Sequence, residues 1–347
     1  MFHISNTHLI SQVKYWLLIM FLLLLCNTVE AKKPDVKSEV AQTTISGYVQ
    51  AQFKTTNDDD EESKSTFKIN HGRLQIKSEL TKALSTMIEI DAVTDHVDAD
   101  DVYLKYEISQ AFSLKAGQMK KPFSIAQLES SSKAIMIDSS FSNQDDFEDY
   151  TGRDIGLIAE LDIRKRLDIA FGIFNGAGSG ADAVTDDDNT KDFVGRIEFE
   201  PIECLKMAFN TSSHGLTNDD DVSKRKYAYG ADISVNRGGF RMIAEALFGD
   251  RPKFNADEKM RGLYITAAYK QNLENQKVSA IKYGEIGGRI ESIDSDRTSD
   301  NDAVTSITPY IGVYFDSNAN LKFCPVMRFP QQGDMIIEFT IQAQTGF

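Results

Sequence analysis

The chain is poor in the residues that build a covalent or metal-bound scaffold. Its 347 residues hold only three cysteines, Cys26, Cys204 and Cys324. Cys26 falls in an N-terminal leader, and the remaining two allow at most one bridge, which excludes a disulfide framework. Histidines number five, and His71, His96 and His214 are scattered over separate segments. No Cys-x-x-Cys, His-Glu-x-x-His or DxDxDG spacing occurs, so no metal or cofactor is expected. Asp58–Asp60 and Asp186–Asp188 read as solvated acidic runs, with loose Ca²⁺ binding as the alternative. The chain contains one tryptophan, Trp16. No apolar run reaches the ~20 residues that a membrane-crossing helix needs. Basic charge is also short: 38 Lys and Arg stand against 52 Asp and Glu, a formal charge of −14. That balance argues against a nucleic-acid partner.

The first segment has the layout of a secretory signal peptide. Lys14 precedes the apolar run Trp16–Cys26, and Val29-Glu30-Ala31 ends on a small residue. Residues 1–31 are therefore expected to be removed. Lipid attachment at Cys26 is the alternative, but Leu25 before it is not small. The leader carries one charge of each sign, Lys14 and Glu30, so the remainder keeps −14. Residues 32–43 are polar and read as a flexible periplasmic leader.

From residue 44 the chain alternates. Ile45, Gly47, Val49, Ala51 and Phe53 share one face; Ser46, Tyr48, Gln50 and Gln52 share the other. Val102, Leu104, Tyr106 and Ile108 alternate with Asp101, Tyr103, Lys105 and Glu107. Period two puts each set on one side of a sheet. Sixteen such segments can be marked, near 44–53, 67–80, 83–93, 101–109, 111–120, 153–161, 166–174, 192–199, 204–212, 227–235, 239–248, 260–270, 278–291, 303–315, 320–329 and 335–347. Most run about 9–11 residues, the length at which a tilted strand crosses a bilayer. Connections after odd-numbered segments are mostly long and acidic, as in 57–62, 95–101 and 182–189. Most connections after even-numbered ones are tight. One rim with long loops and one with short turns is the habit of outer-membrane barrels. The fold expected for residues 44–347 is thus a 16-stranded antiparallel transmembrane β-barrel, with long extracellular loops and short periplasmic turns. Both termini fall on the periplasmic rim.

In hydrocarbon the outer face must be apolar and every backbone group paired within the sheet. The inner face then carries Arg73, Lys77, Glu79, Glu89, Asp91, Lys105, Glu107, Lys115, Asp154, Glu160, Asp168, Arg196, Glu198, Arg241, Glu245, Glu285 and Arg289. So many charges cannot make a dry interior, and barrels of 16–18 strands hold water. The candidate solute path is lined by Arg73, Lys77, Lys105, Lys115, Lys120, Lys121, Arg153, Arg196, Arg241 and Arg289. Acidic groups on the same face are at least as numerous, which predicts weak charge selection. The long segment 122–152 is expected to fold inward and narrow the tube, with a helical piece within 130–137. Lys133, Asp138 and Asp145 are its candidate constriction residues. An external flap over the rim is the alternative.

Several stretches resemble one family, the phosphate-selective porins of the O and P type. Gly117-Gln118-Met119-Lys120-Lys121-Pro122-Phe123-Ser124 is similar to its G-[KQ]-x-K-x-P-F-[GS] segment, and Glu129 fits the glutamate that follows. Gly152-Arg153-Asp154-Ile155-Gly156 resembles its G-R-D-I-G. Phe171-Gly172-Ile173-Phe174-Asn175-Gly176 resembles its aromatic-x-Asn-Gly strand end. Asp316-Ser317-Asn318-Ala319-Asn320 resembles its penultimate hairpin without the usual Trp and Pro. The resemblance implies a 16-stranded, usually trimeric porin of the outer membrane. It also implies a path for small ions or solutes such as phosphate, and Lys120 and Arg153 match family positions. In such proteins a terminal aromatic, here Phe347, is what the barrel-insertion machinery reads. Outer-membrane lipid and lipopolysaccharide are the remaining expected partners. Two other functions stay open: a structural or adhesive barrel displaying acidic loops, and a barrel hydrolase. The hydrolase would need a nucleophile beside a surface histidine, and no G-x-S-x-G is present. No catalytic residues are assigned, and no enzyme activity is expected.

Overall fold

The computed structural model describes residues 42–58, 61–93, 96–137, 147–179, 190–217, 223–254, 257–273, 280–297 and 302–347. The expected signal peptide and nearly all of the expected leader lie outside the described residues. Sixteen strands follow in order: β1 (Gln42–Asp58), β2 (Glu61–Glu79), β3 (Leu84–Ala92), β4 (Val97–Glu107), β5 (Phe112–Lys120), β6 (Arg153–Ile163), β7 (Leu167–Phe174) and β8 (Asp192–Ile202). The second half comprises β9 (Leu205–Thr217), β10 (Ser223–Arg237), β11 (Phe240–Asp250), β12 (Lys259–Asn272), β13 (Tyr283–Asp294), β14 (Val304–Tyr314), β15 (Asn320–Pro330) and β16 (Ile336–Gly346). Each pairs with its chain neighbour, and β1 pairs with β16, so the barrel is closed. Closure leaves no sheet edge to be satisfied by lipid.

The alternation decides what each face meets. Ile45, Val49, Ile88, Leu104, Leu157, Phe171, Ile197, Phe209, Ile265, Ile290 and Ile311 all point outward and are exposed. An apolar band of this extent suits a hydrocarbon surround and not water. The opposite face buries Gln50, Arg73, Glu89, Asp91, Arg196, Asp232, Glu245, Lys322 and Glu338.

All sixteen expected strands are present, but several run further than expected. β1 and β2 continue their ladder to Asp58 opposite Glu61, through residues expected to form a loop. β3 and β4 likewise pair Asp91 with Asp98. Their ladders consume the expected long connections, leaving only 59–60 and 93–96 between the strands. Short turns join β2 to β3, β4 to β5, β6 to β7, β8 to β9 and β10 to β11. Gly238 and Gly239, at φ 58° and 88°, make the last of these possible. Asp316, in the β14–β15 turn, accepts from the Asn318 and Ala319 amides at 2.7 Å each, which lowers its carboxyl pKa.

Bulges break the simple parity, and two of them shape the inner face. Ile88 faces Val102 while Ile90 faces Ala99, so Glu89 lies opposite two residues, Asp100 and Asp101. Both aspartates reach Arg153. A second bulge between Gln50 and Ala51 inserts Asn70 beside His71. At the seam, Phe347 and Gly47 exchange backbone hydrogen bonds of 3.0 and 3.2 Å. A Cβ on Gly47 would lie 2.4 Å from the Arg73 carbonyl and 2.9 Å from the Phe347 ring.

Candidate functional site

The connection between β5 and β6 makes contacts on the inner wall through its described residues, 121–137 and 147–152. These carry two helical turns, α1 (Ile125–Leu128) and α2 (Glu148–Thr151). The helical piece expected within 130–137 is instead a turn at Ser131–Lys133 followed by bends. Three successive serines explain this, since their hydroxyls compete for local hydrogen bonds; Ser130 Oγ lies 3.0 Å from Ser132 Oγ.

The base of the loop is locked by a buried ion cluster. Lys121 Nζ donates to Asp192 Oδ2 at 2.8 Å and to the Asp149 carbonyl at 2.5 Å. Asp154 Oδ2 lies 3.6 Å away. Asp192 also accepts from the Gly215 amide at 3.0 Å and sits 2.9 Å from His214 Nδ1. Lys121 is only 2% exposed. Lys121, a solute-path candidate by its sequence position, holds the two ends of the loop to the wall. Around it Phe123, Phe147 and Tyr150 pack with Phe174, Val194, Leu247 and Met260 in a dry cluster. Tyr150 Oη donates to the Asp250 carbonyl at 2.8 Å. Burial, with the nearby charges of Asp250, Asp149 and Asp192, keeps that phenol protonated well above its ordinary range.

Further along, Ser124 takes φ 68°, a left-handed conformation that costs a serine free energy. That bend lets Ser124 Oγ and the Ile125 amide both donate to the Glu245 carboxylate of β11, each at 2.9 Å. The tip is tied to the seam. Gln50 of β1 donates to the Ser131 carbonyl at 3.2 Å, and Gln344 of β16 to the Ser132 carbonyl at 3.1 Å. Lys322 of β15 donates to the Ala134 carbonyl at 2.5 Å. Ile135 and Met136 are buried against Ala268, Tyr310 and Cys324. Lys133 contributes its carbonyl, which accepts from Arg241 Nη2 at 3.1 Å, while the residue is itself exposed. Asp138 and Asp145 lie outside the described residues.

The remaining candidate bases are each held by acids or polar groups. Arg73 pairs with Asp91 at 2.7 Å and Asp100 at 2.8 Å; Arg153 pairs with Glu89, Asp100 and Asp101 at 3.2, 3.0 and 2.7 Å. Lys105 and Lys115 share Glu160, at 3.4 and 2.6 Å. Arg196 binds Asp232 at 2.6 Å and Glu198 at 2.9 Å. Arg241 binds Glu129 at 3.0 Å. Arg289 donates to Thr266 at 3.0 Å and lies over the Tyr264 ring. Lys120 Nζ donates to the Gln127 carbonyl at 2.6 Å. Lys77 stands apart, half exposed and 3.5 Å from Glu79. A cavity of about 420 Å³ brings together Arg73, Lys120, Glu129, Arg153, Thr266 and Arg289. A second, of about 380 Å³, is lined by Lys105, Glu160, Asp168, Arg196 and Glu198.

Several residues that shape the interior were not singled out by strand parity. Gln50, Gln344 and Lys322 matter through contacts with a distant loop. Asp100 turns inward only because of the bulge. Cys204 and Cys324 form no disulfide.

The model of the phosphate-selective porin O and P family matches residues 44–238, more than half of the chain. The chain therefore belongs to that family, and it is an outer-membrane porin. Its fold is shared with the anion-selective porin from Comamonas acidovorans, at a TM-score of 0.66 and 12% identity, covering 88% of this chain and 100% of that one. The outer-membrane channel DcaP of Acinetobacter baumannii matches at 0.61 and 12%, covering 88% and 97%. The trimer form of OmpT from Vibrio cholerae matches at 0.62 and 9%, covering 89% and 100%. No curated protein matches the sequence.

Proposed function

We propose that the chain is a passive diffusion porin for small hydrophilic solutes and ions, narrowed by the segment 121–152, with weak charge preference and no catalytic activity. The observation that carries this is the composition of the cavity lined by Arg73 and Arg153. Arg73, Lys120, Arg153 and Arg289 front it, and most of these bases are ion-paired to carboxylates behind or beside them. A path lined by paired charges stays hydrated without presenting a strong net field of either sign. The inward loop contacts support a constriction: a segment bonded to β1, β11, β15 and β16 occupies cross-section that solutes would otherwise use.

The rim with the 121–152 and 175–191 connections faces outward in this proposal, and the short-turn rim and the termini face the periplasm. Divalent cations would bridge acidic outer residues to lipopolysaccharide. Phe347 serves barrel insertion. The assembly is a homotrimer, by analogy with the trimeric form of OmpT. Planar-bilayer recording tests the core of this. Stepwise currents with a reversal potential near zero across a salt gradient are expected. Deleting residues 130–146 should raise single-channel conductance; unchanged conductance would remove the constriction.

A further inference from the structure

The carboxylate of Glu129 sits where basic groups from several strands converge. Its Oε1 accepts from Arg241 Nη2 of β11 at 3.0 Å. Its own carbonyl lies 3.4 Å from Lys120 Nζ of β5. Lys322 of β15 and Arg289 of β13 add their charges to its surroundings. The side chain keeps 23% exposure and lines the same cavity as Arg73 and Arg153, so it meets whatever passes. Burial raises its carboxyl pKa, and the four bases oppose that rise.

Glu89 and Asp232 are rooted in strands, but Glu129 rides on the loop, one residue past α1. Its carboxylate thus reaches the basic surroundings from the inward connection and not from the wall. A guanidinium with ammonium groups nearby is the setting that recognises a carboxylate or phosphate group. We propose that Glu129 is a tethered counter-ion to Arg241 at a cavity lined by Lys120 and Arg289, and that a passing carboxylate- or phosphate-type anion must displace it from Arg241. Glu129 is then a selectivity-determining residue that holds the pore near neutrality. This inference rests on the porin proposal above.

Glu129→Gln keeps an acceptor for Arg241 and removes the charge. The full chain, recorded in planar bilayers at pH 8, should keep wild-type-like conductance. Its chloride-to-potassium permeability ratio should rise about fourfold, because one unit charge at about 5 Å, roughly halved by salt screening, shifts each ion about twofold in opposite directions. Inorganic phosphate should then reduce the chloride current at lower concentration than in wild type. Glu129→Asp, with the charge retained, should stay close to wild type. Arg241→Gln, which frees Glu129 with its charge intact, should shift the ratio toward potassium. An unchanged ratio and unchanged phosphate block in a conducting Glu129→Gln channel overturn the inference. If that variant fails to fold, the absence of a potassium-ward shift in Arg241→Gln overturns it. A silent wild-type chain would instead remove the pore itself, and this inference with it.

Discussion

Ile135 gives direct access to the docking of the loop. It is 2% exposed and packs with Met136 onto Ala268, Tyr310 and Cys324. Ile135→Ala removes buried methyl and methylene groups and leaves a cavity, a change that costs about 2–5 kcal/mol in closed cores. Water from the lumen can enter this one, so about 3 kcal/mol is a reasonable value. The hydrogen bonds to the Ser131, Ser132 and Ala134 carbonyls remain and hold the loop near its place. A loss of that size raises the undocked population roughly a hundredfold, since each 1.4 kcal/mol is tenfold. Cys324 reports it, because the loop tip covers its thiol. With Cys26 and Cys204 replaced by Ser, labelling of Cys324 by a polar maleimide should be slow in the parent and about a hundredfold faster in Ile135→Ala, where rate follows the open population. Mobility of the unheated barrel on a gel should not change, because no strand pairing involves Ile135. Equal labelling rates in the two proteins would refute the docking of the tip on β12, β14 and β15.

Three further outcomes are expected. Arg153→Gln leaves Glu89, Asp100 and Asp101 facing Arg73 alone, so the reversal potential should move toward cations; movement toward anions would contradict the ion-pair map. Asp192→Asn strips the buried Lys121 of its nearest carboxylate, a loss of roughly 3–5 kcal/mol for a buried pair, and open-channel current noise should rise in a barrel that still folds. An Asp192→Asn current as quiet as wild type would refute the base lock. Burial raises the Glu129 carboxyl pKa, so it takes up its proton at higher pH than an ordinary glutamate near about 4.3. Acidification should therefore move selectivity toward anions before ordinary carboxylates titrate, and this early part of the pH profile should shrink in Glu129→Gln.

Much of the barrel was legible because one rule repeats sixteen times. Each strand states its own register by alternation, as Ile45 to Phe53 shows, and no knowledge of neighbours is needed. Strand ends were less legible. The acidic residues at 57–62 look like a loop by composition, yet an antiparallel ladder continues outside the membrane wherever both strands are long enough. The bulges at Asp100 and Asn70 were hidden for a related reason: one inserted residue reverses the parity used to assign faces. Lys120 and Arg153 could be marked from local motifs. Lys121 could not be separated from Lys120, because which of the two faces the cavity depends on Asp192, 71 positions away in sequence. The loop anchors Gln50, Gln344 and Lys322 are similar: their partners lie between 81 and 212 positions distant.

The tip of the 121–152 segment rests on Gln50 and Gln344, side chains from the first and last strands of the barrel. Those strands become neighbours only when the cylinder is complete. The landing place for the tip thus does not exist in any partly assembled sheet. The aperture should be wide at the moment of closure and reach its final bore afterwards, with the loop acting as a strut across the newest joint in the wall.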